Sequence, residues 1–158
     1  MDLTFKTPEG RFNHRTAGLL IHDGKILVMK DERSPYFYLP SGRIALHETS
    51  EEAILREIRE ELETEVTVDR LIWIIESYFQ ERVSGEKFHE MAFYYQLSPS
   101  ADLLAKGKVF HQYEGGKHDL TFRWVPLDEM KNLDFQPAFL KERFAALPEH
   151  IEHIVKHE

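Results

Sequence analysis

The stretch Gly42–Val66, GRIALHETSEEAILREIREELETEV, decides how the chain is read. It leaves a Pro-Gly loop and enters a segment of helical periodicity crowded with glutamate. Thr49 followed by Glu52 has the form of a capping box, which predicts a helix from Ser50 to about Glu63. At about 100° per residue, Ile54, Leu55, Ile58 and Leu62 share one arc, while Glu57, Glu60 and Glu61 share another. The apolar arc is a packing face. A solvated Glu-rich face is the plainer reading of REIREE taken by itself, yet like charges three and four residues apart repel and cost helix stability. A divalent cation between the acids would relieve that repulsion, and Mg²⁺ or Mn²⁺ suits a cluster of hard carboxylate oxygens. Arg56, one turn before Glu60, and Glu48 in the loop leading in are placed to brace the acids.

The spacing of the same interval is a longer constraint than the helix alone. Gly42, five residues, Glu48, seven residues and then Arg56-Glu57-Ile58-Arg59-Glu60-Glu61 resembles the signature of the Nudix hydrolases, G-x5-E-x7-R-E-U-x-E-E-x-G-U, with U aliphatic. Leu39-Pro40 ahead of the glycine, the hairpin before it and FRWVPLDEM after it are also similar to that family, from about Arg15 to Met130. The resemblance implies an α+β fold, an α/β/α sandwich with a mixed β-sheet between helices, in which the motif forms a loop–helix–loop. It implies a divalent cation, usually Mg²⁺, and hydrolysis of a diphosphate linkage in a nucleoside diphosphate joined to another moiety. Carried over by position, Glu57, Glu60 and Glu61 would be the metal-binding and catalytic carboxylates. The Gly42 carbonyl would join them as a ligand, with Arg56 and Glu48 as orienting partners. Two positions depart from the pattern: Glu63 stands where glycine is usual and Thr64 where an aliphatic residue is. A glutamate resists the left-handed conformation that the glycine adopts, so the helix is expected to end differently or run slightly longer. Ser41 and His47 also replace glycines common in relatives, and His47 is read as an exposed loop residue.

Outside this interval, RTAGLLIH and KILVMK flank Asp23-Gly24, a strong two-residue hairpin signal. RSPYFYLPSG reads as loop. VTVDRLIWIIESYFQ and KFHEMAFYYQLS read as a second, longer hairpin across ERVSGE. Residues 98–118, with Gly107, Gly115 and Gly116, read as a long polar loop. TFRWVP reads as a short strand, LDEMKNL as a short helix and QPAFLKERFAAL as a second full helix with Pro137 in its first turn. The tail EHIEHIVKHE fits strand or helix equally. The whole predicts one domain, residues 1–158, built as a sheet with helices on its faces.

Composition narrows the function classes. The net charge of −8 opposes broad binding to a nucleic-acid backbone. No apolar run is long enough for a membrane span, and the N-terminal residues lack a secretory pattern. The absence of cysteine excludes disulfides and thiolate metal sites, and fits a cytoplasmic setting. Glu90 is a candidate further metal ligand, because a charge amid strand formers marks either a solvated face or a polar site. Glu76 and His89 pose the same choice more weakly. Arg15 and Arg43 are candidates to grip a phosphate, Arg43 by its place beside Gly42. Trp73, Tyr78, Phe79 and Trp124 are read mainly as core. The expected function is Mg²⁺-dependent diphosphate hydrolysis on a small-molecule nucleotide, with Mn²⁺ as a substitute. A catalytically silent nucleotide-sensing module is the alternative, and an isoprenoid diphosphate isomerase is disfavoured because related isomerases commonly use cysteine. Homodimers are common in the family that the motif resembles.

Overall fold

The computed structural model describes residues 1–115 and 118–158. Asp23 and Gly24 adopt φ of 50° and 72°, the left-handed turn expected of an Asp-Gly hairpin, and join β2 (Gly10–His22) to β3 (Lys25–Asp31). The two strands pair only at Ile21–Ile26 and His22–Lys25, then part. The freed edge of β2 is filled by β4 (Ser41–Arg43), which pairs with Arg15–Ala17, and by β1 (Thr4–Thr7). The opposite edge of β2 runs parallel to β6 (Lys87–Ser98). Both predicted hairpins are present, the second formed by β5 (Thr67–Gln80) and β6. With β7 (Val109–Glu114), β8 (His118–Pro126) and β9 (Glu152–His157), the strand order is β7-β8-β3-β2-β6-β5-β9, a mixed sheet.

The sheet separates two apolar layers. Every residue of Ile26–Met29 is buried, and alternate side chains go to opposite faces. Leu27 and Met29 join Ile54, Ile58 and Leu62 of helix α1 (Ser50–Leu62), whereas Ile26 and Val28 join Trp73, Phe135 and Phe144. The mixed sheet is therefore covered on both faces, by α1 on one and by the segment after β8 on the other, in keeping with the expected sandwich. Within α1, Leu55 lies at the border of the packing face and is half-buried. Thr49 caps the helix by accepting from the Glu52 N–H at 3.1 Å. Buried Thr16 of β2 donates to the Ser50 carbonyl at 3.1 Å, and Ser50 shares a 2.7 Å hydrogen bond with Tyr95 of β6. The first turn of α1 is thus fixed to the sheet.

Three expectations are corrected. The 98–118 segment is not one loop. Ser100 caps a short helix α2 (Ala101–Leu104), and Val109–Glu114 is an edge strand whose Phe110 stacks on Phe122 at 5.1 Å; Gly116 lies outside the described residues. The second full helix is absent: residues 138–147 form a short 3-10 turn and further i→i+3 turns. Phe135, Leu140 and Phe144 are all buried there, so tertiary packing overrides helix propensity. Finally, α1 ends at Leu62 with Glu63 in the left-handed conformation itself, φ 52°, its N–H bonded to the Arg59 carbonyl at 3.0 Å. Thr64, in the other departing position, is buried and shares a 2.9 Å hydrogen bond with Ser100. The undecided tail is a strand, β9, parallel to β5.

Candidate active site

The gap between β2 and β3 brings β4 against α1. Gly42 pairs with Thr16, and a Cβ on Gly42 would overlap the Glu57 carboxylate. This is a reason for glycine that lies in space rather than in φ. Only an absent side chain lets the backbone of residue 42 and the first acid of the helix share one site.

Arg56 ties the motif together. Its Nε and Nη2 donate to the two Glu48 oxygens at 2.7 and 2.9 Å, and Nη2 also donates to the Arg43 carbonyl at 3.0 Å. Its Nη1 donates to Glu57 at 2.9 Å and reaches Glu60 at 3.3 Å. Glu48 accepts in addition from the Ala45 N–H at 3.0 Å, and these partners hold its pKa below the ordinary carboxylate range. One guanidinium fork therefore fixes loop and helix acids in a single frame.

The three helix acids differ sharply in surroundings. Glu60 is the exposed one, its side chain 47% accessible at the rim. Glu57 is 13% accessible, and burial raises its pKa to about 7 against the pull of Arg56. Glu61, which periodicity placed on a displayed arc, is buried. Among the described residues its Oε1 has no hydrogen-bond partner. Burial raises its pKa well above normal, and Glu57 and Glu114 add repulsion.

Glu57 and Glu61 open on a cleft of about 790 Å³, within the range of small-ligand sites. Arg15, Arg43 and Glu90 line the same cleft. Arg15 donates to the Ser41 hydroxyl at 3.0 Å and lies 3.9 Å from Glu90. Glu90 also accepts from Asn13 at 3.4 Å; burial raises its pKa, and Arg15 and Asn13 oppose that rise. Burial lowers the pKa of Arg43, with Arg15 and Arg11 adding repulsion, and among the described residues Arg43 forms no ion pair. Among the described residues, no three acidic or histidine side chains already converge as a ready metal cage.

Several weaker candidates fall elsewhere. Glu76 bonds His153 at 2.6 Å. His89 stacks against Tyr78 on the sheet face opposite to that of Glu90. Trp73 and Trp124 are core residues, whereas Phe79 lines the cleft. His47 is an exposed loop residue with φ 69°. Sequence reasoning missed Glu114, which lines the cleft from β7 beside Glu61. The alternation of VFHQYE was the available signal, obscured by the glycines on either side.

Fold and site define a class: an α/β/α sandwich whose acidic loop–helix opens on a small-molecule cleft. The model of the NUDIX domain matches residues 12–147, and the chain belongs to the NUDIX family, hydrolases that act on diphosphate linkages and generally use divalent cations. No curated protein matches the sequence significantly. Among solved structures, the E. coli ORF135 protein is similar at 24% identity and TM-score 0.56, covering 85% of this chain and 89% of its own. The MutT protein from Bacillus halodurans is similar at 16% identity and TM-score 0.62, with coverages of 92% and 89%. An ADP-ribose pyrophosphatase from Streptococcus suis is similar at 13% identity and TM-score 0.54, with coverages of 90% and 98%. These likenesses establish the fold. No helix among the described residues is long and apolar enough to cross a membrane.

Proposed function

We propose that the protein hydrolyses a diphosphate linkage in a nucleoside diphosphate derivative, using Mg²⁺ with Mn²⁺ as a substitute, in a cytoplasmic setting. The observation that carries this reading is Glu61. A buried carboxylate oxygen without a partner costs on the order of 1–3 kcal/mol, more when charged. Placed beside Glu57 and the Gly42 backbone, that oxygen suits a hard cation. The donor set fits, because Mg²⁺ takes oxygen ligands and retains some of its waters. Glu57, Glu60, Glu61 and the Gly42 carbonyl would hold the cation, with Glu90 facing them from the sheet.

When bound, the cation offsets charge on the diphosphate oxygens and acidifies water. The chain's own groups do the rest. Arg56 and Glu48 hold Glu57 and Glu60 in place, and Arg43 and Arg15 present donors to phosphate oxygens. A motif glutamate accepts the proton of the attacking water as its oxygen bonds to phosphorus and the bridging bond breaks. Such proton transfer contributes typically about 10²–10⁴-fold.

The test is Mg²⁺-dependent product release across nucleoside triphosphates, sugar nucleotides, ADP-ribose and dinucleoside polyphosphates, with products identified by mass. Replacing Glu60 and Glu61 together by Gln is expected to remove turnover by at least about 10²-fold while leaving the fold intact. Hydrolysis at the wild-type rate by that variant would overturn the reading. Tight binding across the panel without product release would favour a sensing module instead.

A further inference from the structure

The match to the family domain ends at residue 147, yet the chain adds one more strand to the sheet, β9. Register shows what this strand contributes. Asn13 pairs with Glu90, Glu90 with Ser77 and Ser77 with Lys156, so one row of side chains crosses β2, β6, β5 and β9. All four residues line the cleft that Glu57 and Glu61 face. Three strand spacings of about 4.8 Å put the Lys156 backbone roughly 14 Å from β2, and its four-carbon stem reaches back over part of that distance.

Acids outnumber bases along the cleft, and two of its four arginine and lysine side chains are paired. Arg15 is held by Ser41 and Glu90, and Arg33 lies 3.3 Å from Asp31. His118 lies 3.2 Å from Glu32. Arg43 at the motif end and Lys156 at the far end form no ion pair among the described residues. The Lys156 ammonium sits 5.5 Å over the ring of Phe139, which also lines the cleft. Lys156 is a half-buried residue whose strand neighbour is the small Ser77, so its charge is available to a ligand in the cleft.

We propose that Lys156 is a specificity-determining residue. It selects substrates that carry a second anionic group, a phosphate monoester or carboxylate, on a moiety well separated from the diphosphate at the motif. This inference rests on the hydrolytic reading for the position of the diphosphate. Arg43 and Lys156 would then mark the two ends of an extended, doubly anionic ligand, and Glu90 and Glu158 on the same face would disfavour anions placed between or beyond them.

The experiment compares ADP-ribose with its 2′-phosphate, two ligands that share a diphosphate and differ in one distal phosphate. Dissociation constants in the presence of Mg²⁺ or, if turnover intervenes, KM values are measured for wild type, Lys156→Met and Lys156→Arg. Wild type is expected to bind the 2′-phosphate about tenfold more tightly, with the gap shrinking as salt rises. Lys156→Met should close the gap and Lys156→Arg should keep it. Equal affinities in wild type, an undiminished gap in Lys156→Met, or no binding of either probe would overturn the inference. Selective binding without hydrolysis of either probe would uphold it while counting against the hydrolytic reading.

Discussion

At the scale of single residues, Glu63 carries a measurable cost. It occupies φ 52° and ψ 38°, where a side chain bearing a Cβ is disfavoured and glycine is not. Its N–H still closes the helix on the Arg59 carbonyl, the bond of a left-handed helix cap. Glu63→Gly is expected to stabilise the protein by roughly 1 kcal/mol, raising Tm by about 2–4 °C. Glu63→Ala keeps the Cβ and should gain little; an equal gain for both variants in thermal melts would show that the left-handed conformation is not the cause. Arg56 carries the opposite lesson, because its value lies in geometry rather than charge. Lysine cannot reproduce a fork that meets Glu48, Glu57 and the Arg43 carbonyl at once. Arg56→Lys is expected to lower kcat/KM by about 10–100-fold, as losses of orienting partners typically do. Activity unchanged by that substitution would mean that the acids are held by other means.

At the scale of elements, the irregular segment after β8 covers one face of the sheet and α1 covers the other. Phe144 packs against Trp73 at 6.0 Å and edge-on to Phe135 at 5.7 Å, and all three are buried. Phe144→Ala is therefore expected to cost about 3–5 kcal/mol in denaturant titrations, as a truncation inside a regular core element would. A loss below about 1 kcal/mol would show this layer to be loosely attached. The same segment shows where sequence reading stopped. Helix α1 was legible because local signals agreed: the Thr49 cap, the apolar arc and the acids all named one element. QPAFLKERFAAL had helical composition, but its aromatic anchors are set by contacts with distant strands, which periodicity does not register. Strand β7 was hidden by its brevity and flanking glycines, and Glu114 was hidden with it. Within the candidate site, spacing placed Glu57, Glu60 and Glu61 on one arc with Arg56 beside them. It could not show that Glu61 is buried, because that depends on where β4 and β7 close over the helix.

At the scale of the whole molecule, two sets of carboxylates pull stability in opposite directions with pH. The pKa values of Asp31, Glu48 and Glu81 are lowered in the folded state, Glu81 to about 2. Their contribution is present above the unfolded carboxylate range and is lost as pH falls through the folded values. Glu57, Glu61 and Glu90 have raised values, with Glu57 moving from 4.5 to about 7. Their contribution is full below about pH 4.5 and is lost as pH rises through the folded values, up to about 3 kcal/mol for Glu57 alone. Without a divalent cation, the protein should be most stable in mild acid and should weaken between about pH 5 and pH 8. A cation that binds only the ionised acids reverses the second trend, because it stabilises the folded state increasingly as those protons leave. Denaturant titrations at pH 5 and pH 8, in EDTA and in millimolar Mg²⁺, separate the terms. The EDTA series should lose stability with pH, the Mg²⁺ series should hold or gain, and replacing Glu57 and Glu61 by Gln should flatten the EDTA series and remove the response to Mg²⁺. Parallel pH profiles with and without Mg²⁺ would mean that the acids on α1 are not where the cation binds.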